Sequence, residues 1–256
     1  MCNDRRSKGR LTKHIEADGR KFEILPYFDF TKYLGVNFSF GDTTETELDN
    51  RIASAWRKFG IWRDELTSRR YPLGSRMKLF DSVVSSTMLY GSCCWTLTGS
   101  LERKLRTCQR RMLRMVVGHR RRITHVHQAQ DSAEMVTEVE SYLDWIQRAT
   151  GEAEQKLKDL NIEDWPSKQR RMKWRWAGQL ANMDPSRWAR KAAEWDPRWT
   201  TQAARCRGHP KTRWTNDIQS FLATSSLEGP WLVLALDCNL WSGLEDAYAA
   251  TSLLKP

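Results

Sequence analysis

Residues 100–118 read SLERKLRTCQRRMLRMVVG, and this stretch sets the fold class. Leu101, Leu105, Cys108, Met112 and the Met115/Val116 pair recur at the spacing that lines one face of an α-helix. Arg103, Lys104, Arg106, Arg110, Arg111 and Arg114 fill the remaining surface. Ser100 is a favoured N-cap, and Gly118 supplies the left-handed residue that commonly ends a helix. The stretch is predicted to be a helix with one apolar face and an arginine-dense remainder.

The same periodicity predicts a helix from Thr44, opened by the capping box Thr44-x-x-Glu47, and another from Ser75 to Tyr90, closed by Gly91. Before residue 42 the pattern becomes β. Leu11–Ala17, Asp18-Gly19 and Arg20–Leu25 form a two-residue hairpin, because Asp-Gly suits the positive φ values of a type I′ turn. Phe30–Phe40 reads as a third extended run. On the C-terminal side, Asp131–Thr150 is a predicted helix that is acidic in its first half. Trp165-Pro166 marks a break before a helix over Lys168–Met183. Arg187–Trp195, Thr212–Thr224 and Trp231–Ala250 complete the helices. The expected fold is mainly α, a small N-terminal antiparallel β-hairpin element followed by helices. Its four segments are a β-hairpin element at residues 1–42, a helical region at 43–125, an acidic helical connector at 126–166, and a basic, Trp-rich helical region at 167–256.

The 256 residues carry 42 Lys+Arg against 31 Asp+Glu, a net charge of +11 that points to a polyanionic partner. The charge is segregated. Residues 101–122 hold +8 and residues 168–213 hold +10, so everything else sums to −7. A solvated face usually mixes both signs, and this separation favours a polyanion contact. The acidic stretch between the two is free to fold against one of them and mask it. Thirteen Trp exclude a disordered chain despite a mean hydropathy of −0.67. The polar, basic residues 1–10 are no secretory leader, and the longest uncharged window, Ser82–Leu101, is half Ser, Thr and Gly. An intracellular location, nuclear or cytoplasmic, with no membrane partner is expected, and the six cysteines read as free thiols.

Most catalytic chemistry lacks its residues. Cys206-x-x-His209 and His125-x-His127 have no second ligand pair at zinc-finger distance. No Gly-x-Ser-x-Gly elbow and no Gly-rich phosphate loop occurs. Two-metal phosphoryl transfer needs clustered carboxylates, yet there is no Asp-Asp pair anywhere. Glu163-Asp164, Glu245-Asp246 and Asp64-Glu65 read as solvated or ion-paired positions. What remains is base with aromatic: seven Trp (165, 174, 176, 188, 195, 199 and 214) interleave with thirteen basic residues between 168 and 213. An exposed Trp beside Arg stacks on nucleobases, whereas a buried one builds the core of a small helical domain. The run Arg120-Arg121-Arg122 exceeds what capping a helix requires.

Several stretches in order resemble the part of non-LTR (LINE-type) retrotransposon reverse transcriptases that follows the catalytic palm. They are Phe30-Thr31-Lys32-Tyr33-Leu34-Gly35, Leu89-Tyr90-Gly91-x-x-x-Trp95, Gln109-Arg110-Arg111-x-Leu113-Arg114, Trp174-Arg175-Trp176-Ala177-Gly178-Gln179-Leu180 and Arg207-Gly208-His209-Pro210 with Arg213-Trp214. The resemblance implies that Tyr33, Leu34 and Gly35 belong to a hairpin gripping the primer end. It implies a helical thumb after them, with Arg110, Arg111 and Arg114 as candidate contacts to the template–primer backbone. Arg103 and Arg120, Arg121 and Arg122 join them as nucleic-acid-binding candidates on their charge, the last three being either a phosphate clamp or a partner for the helix dipole. It assigns the nucleic-acid-binding C-terminal region Arg170, Arg171, Lys173, Trp174, Arg175, Arg207, Lys211 and Arg213. The partner implied is RNA or an RNA/DNA template–primer duplex. The family's aromatic-x-Asp-Asp motif is absent, so no catalytic residue is inherited, and Mg2+ is expected only for a complete polymerase with a palm upstream or in trans. Three readings stand at this point: a binding fragment that does not polymerise alone, a part of an active polymerase, and a retroelement remnant without a role.

Overall fold

A computed structural model describes residues 14–23, 29–39, 43–127, 135–195 and 212–253. The chain is mainly helical with small N-terminal antiparallel hairpins, as the periodicity predicts. β1 (His14–Ala17) pairs with β2 (Arg20–Glu23) across Asp18-Gly19, both at positive φ. The run from Phe30 is not one strand. It folds into β3 (Phe30–Tyr33) and β4 (Val36–Ser39), which pair across Leu34 (φ 48°) and Gly35 (φ 82°). The turn geometry is the same as at Asp18-Gly19, but leucine is a poor turn residue and disguises it.

α1 (Thr43–Ile61) and α2 (Arg63–Thr67) follow, then α3 (Leu73–Phe80), a π-helical turn at Asp81–Ser85 and α4 (Ser86–Met88). α5 (Gly99–Val117) begins before Ser100. Its cap is Thr98, whose hydroxyl accepts from the Leu101 N–H at 3.4 Å, and Gly118 ends it at φ 74°. Residues 123–139 correct a second expectation. β5 (Ile123–His127) pairs antiparallel with β6 (Met135–Val139), so the connector is not helical throughout, and the helix predicted over Asp131–Thr150 starts later and runs further, as α6 (Tyr142–Asp159). Both strands are rich in β-branched residues, which favour a pleated surface. Met135 and Val139 stand four apart and mimic a helical repeat. α7 (Trp165–Ala181) carries Pro166 in its first turn, where the missing N–H costs nothing, and Asp164 caps it by accepting from the Ser167 N–H at 2.9 Å. α8 (Trp188–Glu194), α9 (Asn216–Thr224), α10 (Trp231–Leu234) and α11 (Cys238–Ala249) complete the chain. The single helix expected over Trp231–Ala250 is split because Asp237 caps α11, its carboxylate accepting from the Asn239 and Leu240 N–H groups at 3.0 Å.

Two compact units result, one of residues 1–51, 91–101 and 169–256, the other of residues 52–90 and 102–168. In the first, Trp174 and Trp241 stack at 3.7 Å and each indole N–H donates to the other's carbonyl, at 2.8 and 3.0 Å. Ala177, Leu180, Ile218, Leu222, Trp231 and Tyr248 close around them. In the second, Trp165 lies parallel to Phe80 at 5.9 Å and donates its indole N–H to the Ser85 hydroxyl at 2.7 Å. Leu105, Met112, Leu113 and Val116 of α5 are buried, with Ala149, Ala153 and Leu157 of α6.

Arg76 is nine-tenths buried at the end of α5. Its guanidinium donates to the carbonyls of Tyr71 (3.1 Å), Leu66 (3.3 Å) and Val116. Burial, reinforced by Arg69, lowers its pKa.

Candidate nucleic-acid interface

The charge on α5 is largely answered by the acidic connector, as the segregation of charge allowed. Arg106 pairs with Glu102 (3.1 Å) and Asp164 (2.8 Å), and Arg110 with Glu154 (2.6 Å). Arg114 donates to the Thr150 hydroxyl at 2.9 Å and is half-buried, which lowers its pKa. Arg111 lies over the Trp56 ring at 5.3 Å. Only Arg103, among the α5 arginines named from the sequence, is exposed with no partner among the described residues.

Past Gly118 the balance changes. Arg148 grips Glu140 through two bonds of 2.8 and 2.7 Å, reaches Glu152 at 3.3 Å, and donates to the Arg120 carbonyl at 3.0 Å. Glu140 also accepts from the Arg122 backbone N–H at 2.8 Å, and these bonds hold its carboxyl down to about 2. The backbone of 120–122 is thereby fixed while the three residues stay exposed. Arg121 donates to the Glu140 carbonyl at 2.7 Å, a neutral acceptor that leaves its charge uncancelled. Arg69 donates to the Gly118 carbonyl at 3.4 Å, which brings Arg69 and Arg70 beside the same turn. Five exposed arginines, Arg69, Arg70, Arg120, Arg121 and Arg122, thus gather at the end of α5, and none of their guanidinium groups donates to a carboxylate among the described residues. Arg69 and Arg70 were not singled out from the sequence. They stand 49 residues from Gly118, and no local pattern reports that proximity.

The second basic segment is used differently. Lys173 is buried and donates to both Asp217 oxygens at 2.8 Å, with its ammonium 5.1 Å from the Trp214 ring. Desolvation lowers its pKa, opposed by Asp217. Tyr248 donates to the same carboxylate at 3.0 Å. Arg171 bonds Glu245 and Asp246, each at 2.7 Å, and Arg175 bonds Glu245 at 2.7 Å while staying 62% exposed. Arg170 is buried and Arg213 half-buried, whereas Arg207 and Lys211 lie outside the described residues. Trp174 is fully buried in the stack, so its reading as a base platform gives way to a core role. Trp165 shares that fate. Trp188 (84% exposed) at the start of α8 and Trp195 (59%) just past its end do face solvent, and Lys191 lies over the Trp188 ring at 5.2 Å. Trp199 lies outside the described residues.

The Tyr33-Leu34-Gly35 tip is exposed at both side chains, and Tyr33 meets Phe38 at 6.4 Å. Its base is anchored on α1. The Asn37 N–H donates to Glu47 at 2.7 Å, Arg51 pairs with Glu47 at 2.5 Å, and Arg51 also donates to the Gly35 carbonyl. Glu47 therefore holds the hairpin in place of the capping expected of it, since α1 starts at Thr43 and the Glu47 carboxylate accepts from Asn37, Asn50 and Arg51.

Among the described residues no helix is long and apolar enough to cross a membrane, and no three His, Cys, Asp or Glu side chains group as metal ligands. The chain is 24% identical over 221 residues to an uncharacterized transposon-derived protein of Caenorhabditis elegans, a match spanning 82% of this chain and 67% of that protein. No family model and no solved structure matches.

Proposed function

We propose that this transposon-related chain binds RNA or an RNA/DNA template–primer duplex as the thumb and C-terminal part of a LINE-type reverse transcriptase, and does not polymerise alone. The observation that carries the reading is the cluster of five exposed arginines at the end of α5, none of whose guanidinium groups pairs with a carboxylate among the described residues. Phosphate is the partner such a cluster fits, since bidentate guanidinium groups match its geometry. The likeness to a transposon-derived protein supports the retroelement origin. The absent aromatic-x-Asp-Asp motif in the sequence supports the lack of polymerisation. Contacts of this kind read backbone and not bases, so sequence preference is weak.

Fluorescence anisotropy with an RNA hairpin and an RNA/DNA duplex tests the reading. Five neutralised phosphates give a log–log salt slope of about −3.5 to −4.5, a loss of about 130- to 500-fold in affinity between roughly 50 and 200 mM salt. A flat salt response, or no binding at low salt, overturns it.

A further inference from the structure

Cys93 and Cys94 sit on a 3-10 turn, Ser92–Cys94, that follows the left-handed Gly91. Their sulfurs are 3.8 Å apart, Cys94 is exposed, Cys93 is half-buried, and both are free. The backbone beneath them is pinned within its own unit. The Cys94 N–H donates to the Gly91 carbonyl at 3.2 Å and the Trp95 N–H to the Ser92 carbonyl at 3.0 Å. The Trp214 indole N–H donates to the Cys93 carbonyl at 2.8 Å, and the Gln169 amide to the Ser92 carbonyl at 3.0 Å.

Two thiols this close can oxidise or chelate, and geometry decides between them. A relaxed disulfide needs an S–S bond of about 2.05 Å and Cα atoms about 4.4–6.8 Å apart. Neighbouring residues across a trans peptide hold their Cα atoms at about 3.8 Å, outside that range. A shared soft centre asks for less. Bonds of about 2.3 Å from each sulfur, the length thiolates make with zinc, span the gap of 3.8 Å at an angle of about 111°, close to tetrahedral. Zinc itself takes three or four protein ligands, and among the described residues no third side chain joins the pair. Trivalent arsenic bearing its own organic substituent needs only two thiolates.

We propose that Cys93 and Cys94 form a dithiol site for trivalent arsenicals, both sulfurs binding one arsenic. With an organic arsenoxide, two S–As bonds form and the oxide oxygen leaves as water with the two thiol protons. Arsenic stays trivalent, so no oxidant or reductant is required.

The test uses the full chain and phenylarsine oxide, read by intact mass and by titration of free thiols. One adduct per chain should consume two thiols, and 2,3-dimercaptopropanol should remove it where 2-mercaptoethanol at equal thiol concentration does not. A Cys2→Ser/Cys206→Ser/Cys238→Ser variant keeps Cys93, Cys94 and the buried Cys108, and should bind as the parent does. Cys93→Ser and Cys94→Ser should each weaken binding by about a hundredfold or more, because the second bond is intramolecular. Since Cys94 is exposed, its variant should unfold at the parent's temperature, which separates lost chelation from lost folding. An adduct in Cys94→Ser that still yields only to the dithiol, or loss of the adduct from the triple variant, overturns the proposal.

Discussion

One substitution made at two helical glycines should change stability in opposite directions. Gly151 lies inside α6 and Gly178 inside α7. Alanine is better than glycine in a helix interior by about 0.8–1.0 kcal/mol. At Gly151 an added Cβ meets nothing within 4 Å, so Gly151→Ala should keep that gain. At Gly178 the Cβ falls 3.0 Å from both Cδ1 and Nε1 of Trp241. That ring cannot retreat, because it is stacked on Trp174 at 3.7 Å and tied to it by two reciprocal hydrogen bonds. Overpacking a fixed neighbour costs about 1–3 kcal/mol, so the net effect of Gly178→Ala is a loss of up to about 2 kcal/mol. For a chain of this size each kcal/mol shifts Tm by about 2–4 °C. Thermal unfolding followed by far-UV circular dichroism should therefore show Gly151→Ala higher by about 2–4 °C and Gly178→Ala lower by as much as about 8 °C. If Gly178→Ala proves as stabilising as Gly151→Ala, Trp241 yields freely and the rigid tryptophan stack is refuted.

Replacing Arg120, Arg121 and Arg122 together with Ala should flatten the salt slope of RNA binding by about 2–3, whereas Arg110→Ala, already paired with Glu154, should leave the slope nearly unchanged. The Glu140 carboxyl is held at about 2, below the ordinary carboxylate range, by Arg148 and the Arg122 N–H, so its support of the β5–β6 hairpin is complete above that range and fades as pH falls through about 2. Hydrogen exchange of the hairpin amides between pH 5 and 2 should show that loosening, and Glu140→Gln should abolish its pH dependence. A hydrogen bond from Cys93 draws the Cys94 thiol down to about 7 and pushes the Cys93 thiol up. Iodoacetamide should then modify Cys94 with a half-maximal rate near pH 7, and Cys93→Ala, which removes the donor, should move that midpoint upward; an unmoved midpoint contradicts the thiol–thiol bond.

What the sequence disclosed was local. The periodicity of residues 101–116, the left-handed residue at 118 and the Asp18-Gly19 turn each depend on a few adjacent side chains, and each was legible. The second hairpin hid because Leu34 takes a positive φ that leucine rarely adopts. The third hid because Met135 and Val139 stand at a helical interval. The roles of charged residues were hardest to read. Lys173 and Asp217 are 44 positions apart, and nothing near Lys173 announces that its ammonium is buried. The same distance effect conceals the meeting of Arg69 with Gly118. Composition located the charge correctly, but only tertiary contact separates the arginines that are spent on carboxylates from those left facing water.

Arg76 gives the exposed arginines a further property. Its one guanidinium ties three carbonyls, from α2, the loop after it and the last turn of α5. A lysine ammonium also carries three donors, but they turn about one nitrogen on a flexible stem and lack the fixed planar fork of the guanidinium. The point from which residues 119–122 leave the helix is therefore set by covalent planarity and not by a flexible tether. A polyanion meeting this cluster finds its charges already in register, so less conformational freedom is surrendered on association than a disordered basic tail would lose. On the proposed function, the buried arginine would act on binding through entropy, without touching the ligand.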